Sequence, residues 1–405
     1  MVFGNQQMSS VNRSFALASG GPSPPAILHS VNERYGEWKL GYAAANLIVV
    51  GSKPGPEAIV LAGNDYLSLA RHPNIVRAIT ETLRDSHSDV LMSTVYIQHL
   101  DVQRQYEAAM AAYLGSESAV LCQSGWTAND GLIQVLADSD TPVYIDLGAH
   151  ASLWQGIQSA GATARPFRHN DPASLSALAK RYGPGLVVAD AVYSTTGDIC
   201  PLGDFVEIAD RHGCMLVLDE SHSVGLRGPS GVGLAAELGL VHRVHFQTFS
   251  LSKAFVGRGG IVAGPSHLLE YFRFVARPSV FSSAVLLHEV AAFSATLEII
   301  RGDDWRREAL RRKSDYLRQG LLGAGWPIAN NSAPIVALMS GTEERTVQLR
   351  DALEARNVFG AVFCAPSTPR NRALVRLTAN ASVSERDLDK VIAACIAARQ
   401  EVGIA

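Results

Sequence analysis

From about residue 105 onward, short unbroken apolar runs alternate with stretches of helical periodicity. The runs are Ala119–Leu121, Val143–Ile145, Leu186–Ala189, Met215–Leu218, Val244–Thr248 and Gly260–Ala263. Strands this short and this continuously apolar are buried on both faces, and the intervening amphipathic helices supply the cover. The pattern therefore predicts an α/β domain built on a parallel sheet. One unit is unusually legible: Pro201 opens a helix, Phe205, Ile208 and Ala209 keep its apolar stripe, and Gly213 ends it before the run Cys214–Leu218. From about Ser282 to Gln319 the sequence turns helical. Two more strand candidates follow, Pro334–Met339 and Ala373–Leu377, with helical patterns at Thr342–Arg356 and Ser384–Gln400. This predicts a smaller α+β C-terminal domain. The first 55 or so residues are mixed, with a Gly/Pro/Ser stretch at Gly20–Pro25 and one helix near Ile27–Tyr42. The expected organisation is an N-terminal segment over 1–60, a large domain over 61–285 and a small domain over 286–405.

A chain of 405 residues suits that division, because single cores stop growing beyond about 250–300 residues. The net charge of -3 gives no reason to expect nucleic acid or an anionic membrane surface as partner. No run approaches the roughly 20 apolar residues that span a bilayer, so no membrane span is expected. The apolar patch Phe15–Ala18 has no basic flank before it and no clear cleavage site, which argues against a signal peptide. The five cysteines, at 122, 200, 214, 364 and 395, form no C-x-x-C pair. Neither a disulfide framework nor a zinc site is expected; reduced cysteines in a cytoplasmic protein are.

In open α/β sheets, ligands sit beyond the carboxyl ends of the strands, so the polar residues after each apolar run carry the chemistry. Of the six lysines, Lys180, Lys313 and Lys390 lie on helical stretches with charged neighbours. Lys253 instead follows a strand and is flanked by Ser250, Ser252, Ala254 and Phe255. Partial desolvation there would lower its pKa, which a Schiff-base lysine needs; the plain alternative is a loop lysine. Asp219 ends a buried run and requires a cationic partner, of which a protonated pyridine nitrogen is one. His222 could hydrogen-bond a cofactor's phenolic oxygen, and His150, just after Val143–Asp146, could lie on a cofactor ring. Either could equally be structural. Ser124-Gly125-Trp126 opens a helix over Thr127–Ala137, whose free N–H groups form an anion site to which Ser250 and Ser252 could add hydroxyls. The parts of a pyridoxal-phosphate site thus occur in one order along one sheet edge. Gly231-Val-Gly233-Leu-Ala-Ala236 loosely matches a dinucleotide fingerprint but lacks a preceding strand. No G-x-S-x-G elbow, Walker A loop or H-E-x-x-H is present.

These motifs resemble those of the α-oxoamine synthases among the fold-type I pyridoxal-phosphate enzymes. The resemblance, over roughly residues 60–380, is carried by Asn64-Asp-Tyr66-Leu67, Ser124-Gly125-Trp126-Thr-Ala-Asn129 and Asp146-x-x-x-His150-Ala-Ser152. It continues through Tyr193-Ser194-Thr-Thr-Gly197-Asp198, Asp219-Glu220-Ser221-His222, Ser250-Leu-Ser-Lys253, Phe281-Ser282-Ser283 and Arg376. It implies a mostly parallel seven-stranded sheet between helices, and a homodimer with shared active sites. It further implies that Lys253 forms the Schiff base and moves protons, Asp219 pairs with the pyridinium nitrogen, His222 contacts the phenolic oxygen and His150 stacks on the ring. The Gly125 and Trp126 amides, Ser250 and the partner subunit's Ser283 would hold the phosphate, and Arg376 would hold the amino-acid carboxylate, with Asn64 and Ser194 nearby. The implied reaction joins an amino acid to an acyl-CoA with loss of CoA and carbon dioxide.

The chain departs from common members at Leu91-Met-Ser-Thr-Val-Tyr-Ile-Gln98, where a glycine-rich stretch is usual, and at Gln103-Arg-Gln-Tyr106-Glu107. With Gln123-Ser-Gly-Trp126, Ser152-Leu-Trp154 and Val358–Cys364, these look like the branch that makes quorum-sensing autoinducers from a medium-chain acyl-CoA. The reaction expected of this chain then condenses an amino acid, or an S-adenosylmethionine-like amine, with that acyl-CoA. Alternatives are synthases of the 8-amino-7-oxononanoate, 2-amino-3-ketobutyrate or serine palmitoyl type, a fold-type I aminotransferase, or a cofactor-free regulatory subunit.

Overall fold

A computed structural model describes residues 26–85, 91–97 and 101–404, without the side chains of 37–48. The stretches Phe15–Ala18 and Gly20–Pro25, and Gln98, lie outside them. The chain divides into two compact units, residues 1–50 and 51–405. Within the first, α1 (Ala26–Val49) extends the helix expected near Ile27–Tyr42 at both ends.

The second unit opens with β1 (Ile59–Val60), α2 (Pro73–Asp85) and α3 (Asp101–Leu114). The alternating region follows: β2 (Ser118–Cys122), α4 (Gly125–Leu136), β3 (Pro142–Asp146), α5 (Ala151–Ala160), β4 (Thr163–Phe167) and α6 (Pro172–Tyr182). It continues with β5 (Leu186–Asp190), α7 (Leu202–His212), β6 (Met215–Asp219), the short α8 (Leu234–Glu237), β7 (Phe246–Ser250) and β8 (Gly260–Gly264). Helices α9 (Ser266–Val275), α10 (Arg277–Val280), α11 (Leu287–Gly302) and α12 (Asp304–Gly323) lead to the last section. That section holds β9 (Ile335–Gly341), α13 (Glu343–Glu354), β10 (Val358–Phe359), β11 (Ala361–Phe363), β12 (Ala373–Thr378) and α14 (Glu385–Val402).

Seven strands form one sheet in the order β2-β8-β7-β6-β5-β3-β4. The pairs β7–β6, β6–β5, β5–β3 and β3–β4 are parallel, while β8 runs antiparallel to both its neighbours. Alternate residues serve opposite faces: Ala119 and Leu121 of β2 join the core under α3 and α11, whereas Val120 and Cys122 join the one under α4, α5 and α9. This two-sided burial is why the runs read as continuously apolar. The seventh strand, β4, escapes that pattern. It is an edge strand reading Thr-Ala-Arg-Pro-Phe, with only Phe167 buried. Between β5 and β6, α7 has Pro201 as its N-cap and ends on Gly213 in the left-handed region (φ 65°).

A separate three-stranded antiparallel sheet, β11-β12-β9, packs on α12, α13 and α14 around Trp326, Leu338, Leu353 and Val391. Strands β9 and β12 and helices α13 and α14 match the expected ranges within two residues. The loose dinucleotide match is a four-residue helix, α8, and the Glu220 carboxylate already accepts the N–H groups of Leu234 and Ala235 (2.8 and 2.9 Å). That carboxylate occupies the helix end where a phosphate would have to sit. No described helix is long and apolar enough to cross a membrane.

Candidate active site

Strand ends place the candidate residues. Asp219 closes β6 with its side chain buried (3% exposed), in register with Asp190 at the end of β5. Its two oxygens accept from different directions: Oδ1 from the Ser221 N–H (2.8 Å) and Oδ2 from Asn129 Nδ2 (2.7 Å). Asn129 was not foreseen as a functional residue. It lies one turn along α4 from Gly125, on the face turned to the sheet, and is itself buried. A polar residue on the apolar side of a helix was the available signal.

Lys253 follows β7, and its Nζ donates to Ser252 Oγ (3.2 Å). Burial pulls its pKa down from the usual lysine value; Asp219 opposes this and Arg376 adds to it. His222 is fully buried, with Nδ1 2.6 Å from Tyr66 Oη. Burial first, then Lys253, Arg376 and His150, hold it well below the ordinary histidine range, so it is neutral at pH 7. Burial raises Tyr66, which keeps its proton and is the donor in this pair. Tyr66 belongs to the Asn64-Asp-Tyr66 motif, yet its contact with His222 spans 156 residues and was invisible in the sequence.

His150 begins α5 as its N-cap; its backbone N–H donates to Asp190 Oδ2 (2.8 Å) and its ring meets Trp126 edge-on at 6.2 Å. Asp190 is pushed well above the carboxylate range, by burial first and then by Asp219. Arg376, in the centre of β12, donates from Nη1 to the Ser194 carbonyl (2.7 Å) and from Nη2 to Asn64 Oδ1 (3.0 Å). Its Nε is buried with no partner among the described residues, and its guanidinium lies 4.7 Å from the Phe363 ring centroid. Ser194 therefore meets Arg376 through its main chain.

The anion turn forms as expected, with α4 starting two residues earlier, at Gly125. Ser124 Oγ accepts the Thr127 N–H (3.0 Å) and its carbonyl that of Ala128 (3.0 Å). Among the described residues this leaves the Gly125 and Trp126 amides as the free end of the helix. A Cβ on Gly125 would lie 2.6 Å from Ser250 Cβ, so only glycine lets those amides come up to the Ser250–Ser252 hydroxyl pair (Oγ to Oγ 2.8 Å). Ser283 is exposed and stands apart, forming a bridge to Ser93 and no hydrogen bond to the others.

The donor set suits pyridoxal phosphate at each point of contact: a buried carboxylate for the ring nitrogen, a desolvated lysine for the aldehyde carbon, a helix end with hydroxyls for the phosphate. Fold and site together define a fold-type I pyridoxal-phosphate-dependent enzyme. Residues 56–394 match the family described as aminotransferase class I and II. The chain is 45% identical over 348 residues to the CAI-1 autoinducer synthase of Vibrio campbellii, covering 86% of this chain and 88% of that one. It is 33% identical over 354 residues to the 8-amino-7-oxononanoate synthase of Symbiobacterium thermophilum, covering 86% and 90%. A serine palmitoyltransferase from S. paucimobilis, solved with a bound PLP–myriocin aldimine, superposes with a TM-score of 0.86 at 26% identity, covering 94% of this chain and all of that one. The chain belongs to the aminotransferase class I and II family and, within it, to the α-oxoamine synthases.

Proposed function

We propose that this protein condenses an amino acid, or an S-adenosylmethionine-like amine, with a medium-chain acyl-CoA. CoA and carbon dioxide leave, and the product is an α-aminoketone that serves as precursor of a quorum-sensing autoinducer. The observation that carries this reading is the 45% identity to a CAI-1 autoinducer synthase along 86% of the chain.

Arg376 holds the donor's carboxylate, with Asn64 and the Ser194 carbonyl fixing its guanidinium. Pyridoxal phosphate, when bound, supplies the electron sink that makes the donor's α-proton removable. Lys253 removes that proton, and the desolvation that depresses its pKa suits it to act as a base near neutral pH. Asp219 keeps a negative charge against the ring nitrogen, His222 donates to the phenolic oxygen and His150 covers one ring face. Ser124, Gly125, Trp126 and Ser250 hold the phosphate together with the partner subunit's Ser283.

A homodimer is supported by the surface around Ser283. The Ser93 hydroxyl donates to the Val280 carbonyl and the Ala284 N–H to the Met92 carbonyl (2.9 Å). The stitched pair of segments exposes Leu91, Met92, Tyr96 and Phe281, apolar area that a second copy would cover. We also infer a domain boundary near residue 285, supported by the two sheets on either side of it, and a cytoplasmic setting, supported by five buried, unpaired cysteines.

The test is a panel of acyl-CoAs of increasing chain length offered with candidate amines, reading free CoA and product mass. Release of CoA with a medium-chain α-aminoketone is expected. Keto-acid exchange without CoA release would mark an aminotransferase and overturn the proposal.

A further inference from the structure

Two buried residues inside the site carry hydrogen bonds that the reaction as described does not use. Asn129 Nδ2 lies 2.7 Å from Asp219 Oδ2 and 2.9 Å from Ser152 Oγ, while its Oδ1 lies 2.5 Å from Thr248 Oγ1. Ser152 Oγ in turn lies 2.7 Å from His150 Nδ1. Asn129, Ser152, Thr248 and Asp219 are all nearly inaccessible to water, so solvent does not compete for these bonds.

Donor counting fixes the direction of every bond. The Asp219 carboxylate accepts only, so the amide must turn its NH2 toward it and its carbonyl toward Thr248. The Thr248 hydroxyl then donates. The two amide hydrogens go to Asp219 and to Ser152 Oγ. Having accepted one hydrogen, the Ser152 hydroxyl must place its own, and among the described residues its one remaining neighbour is His150 Nδ1. The Ser152 backbone N–H points at the same nitrogen (3.3 Å). Two donors on Nδ1 make it an acceptor, and the neutral ring then carries its hydrogen on Nε2. The opposite tautomer would set Nδ1–H against both donors and leave a buried hydroxyl hydrogen unpaired.

We propose that Asn129 is a positioning residue that orients two cofactor-facing groups at once: the Asp219 carboxylate directly, and the Nε2–H tautomer of His150 through Ser152. This rests on the site reading given above. Its consequence is that His150 presents a fixed N–H donor, from a residue next to the phosphate turn, wherever negative charge develops on the acyl oxygen or the donor's carboxylate. The relay ties that donor to the charge opposite the ring nitrogen through one amide, so a tilt of Asn129 is felt at both.

The experiment uses the full-length, cofactor-loaded protein labelled with 15N-histidine, with His150 assigned by its absence in His150→Gln. Wild type should show an unprotonated Nδ1 and a protonated Nε2. In Ser152→Ala the His150 nitrogens should move toward a mixture of tautomers, while the pH at which the visible absorption changes stays put. In Asn129→Ala both readouts should move. Turnover should fall about tenfold in Ser152→Ala, the size of one lost hydrogen bond, and further in Asn129→Ala. An unchanged 15N pattern in Ser152→Ala overturns the proposal even if Asn129→Ala does not fold. Repeating the measurement without cofactor separates the two readings, because the hydrogen-bond relay needs neither cofactor nor substrate.

Discussion

Two histidines at the carboxyl edge of the same sheet differ in charge. His222, after β6, is buried beside Lys253 and Arg376 and is held neutral. His169, after β4, lies between Asp146 (Nδ1 to Oδ1 2.8 Å) and Asp198 (Nε2 to Oδ2 3.3 Å). Burial works against its charge, but the two carboxylates outweigh it and raise its pKa to about 9. Tyr193 meets the His169 ring edge-on at 4.3 Å. The edge thus has a cationic half, where an anionic cofactor and substrate would be neutralised, and an anionic half, where a fixed imidazolium ties the loops after β3, β4 and β5. Neighbours, not the imidazole itself, decide which work each histidine does.

The strongest attack on this contrast is on the cationic half. Lys253→Ala should abolish turnover and the visible band of the loaded protein; retained turnover would remove Lys253 from its role. Arg376→Ala should raise the amine's KM about 10- to 100-fold, the cost of losing a charged hydrogen-bond pair, with a smaller change in the acyl-CoA's KM. On the anionic half, Asp146→Asn should lower stability by about 2 kcal/mol, because both buried oxygens accept, Oδ1 from Gly148 and His169 and Oδ2 from Asn170, and an amide turns one of them into a donor. A drop of a few degrees in Tm is the readout.

The pH dependence separates the halves by sign. His169 has a raised folded pKa, so its contribution is complete below its unfolded value of roughly 6.5 and is lost as pH rises through about 9. His222 has a lowered one, so the unfolded chain takes up a proton first and stability falls as pH drops below roughly 6.5. His169→Gln should flatten the alkaline slope and leave the acid one. The smallest effect expected is that of Tyr66→Phe, a loss of turnover of less than about tenfold from removing one neutral donor to His222. A loss as large as that of Lys253→Ala would mean that Tyr66 itself moves a proton.

Much of this arrangement is legible in the sequence. Two-faced burial leaves continuous apolar runs, and the residues that follow them include Lys253, Asp219, His222 and His150. What stays hidden is contact between distant segments. Nothing local marks Tyr66 as the partner of His222, or Asn129 and Ser152 as links between Asp219 and His150. Strand direction is hidden too: β8 reads like the parallel strands of the sheet because antiparallel strands buried on both sides are equally apolar. Lys313, read from its charged neighbours as a solvated helix lysine, donates to the Ala381 carbonyl and joins α12 to the segment before α14. Its pKa is lowered, chiefly by burial.

Strand β4, missed because it is half exposed, decides how the sheet ends. Pro166 brings no amide hydrogen to that margin, and the Arg165 guanidinium is drawn over the Tyr182 ring at 4.2 Å. A foreign strand meeting this margin finds an interrupted row of donors and a bulky cation beside it. The sheet therefore stops at this margin, and crowded chains find no zipper along it.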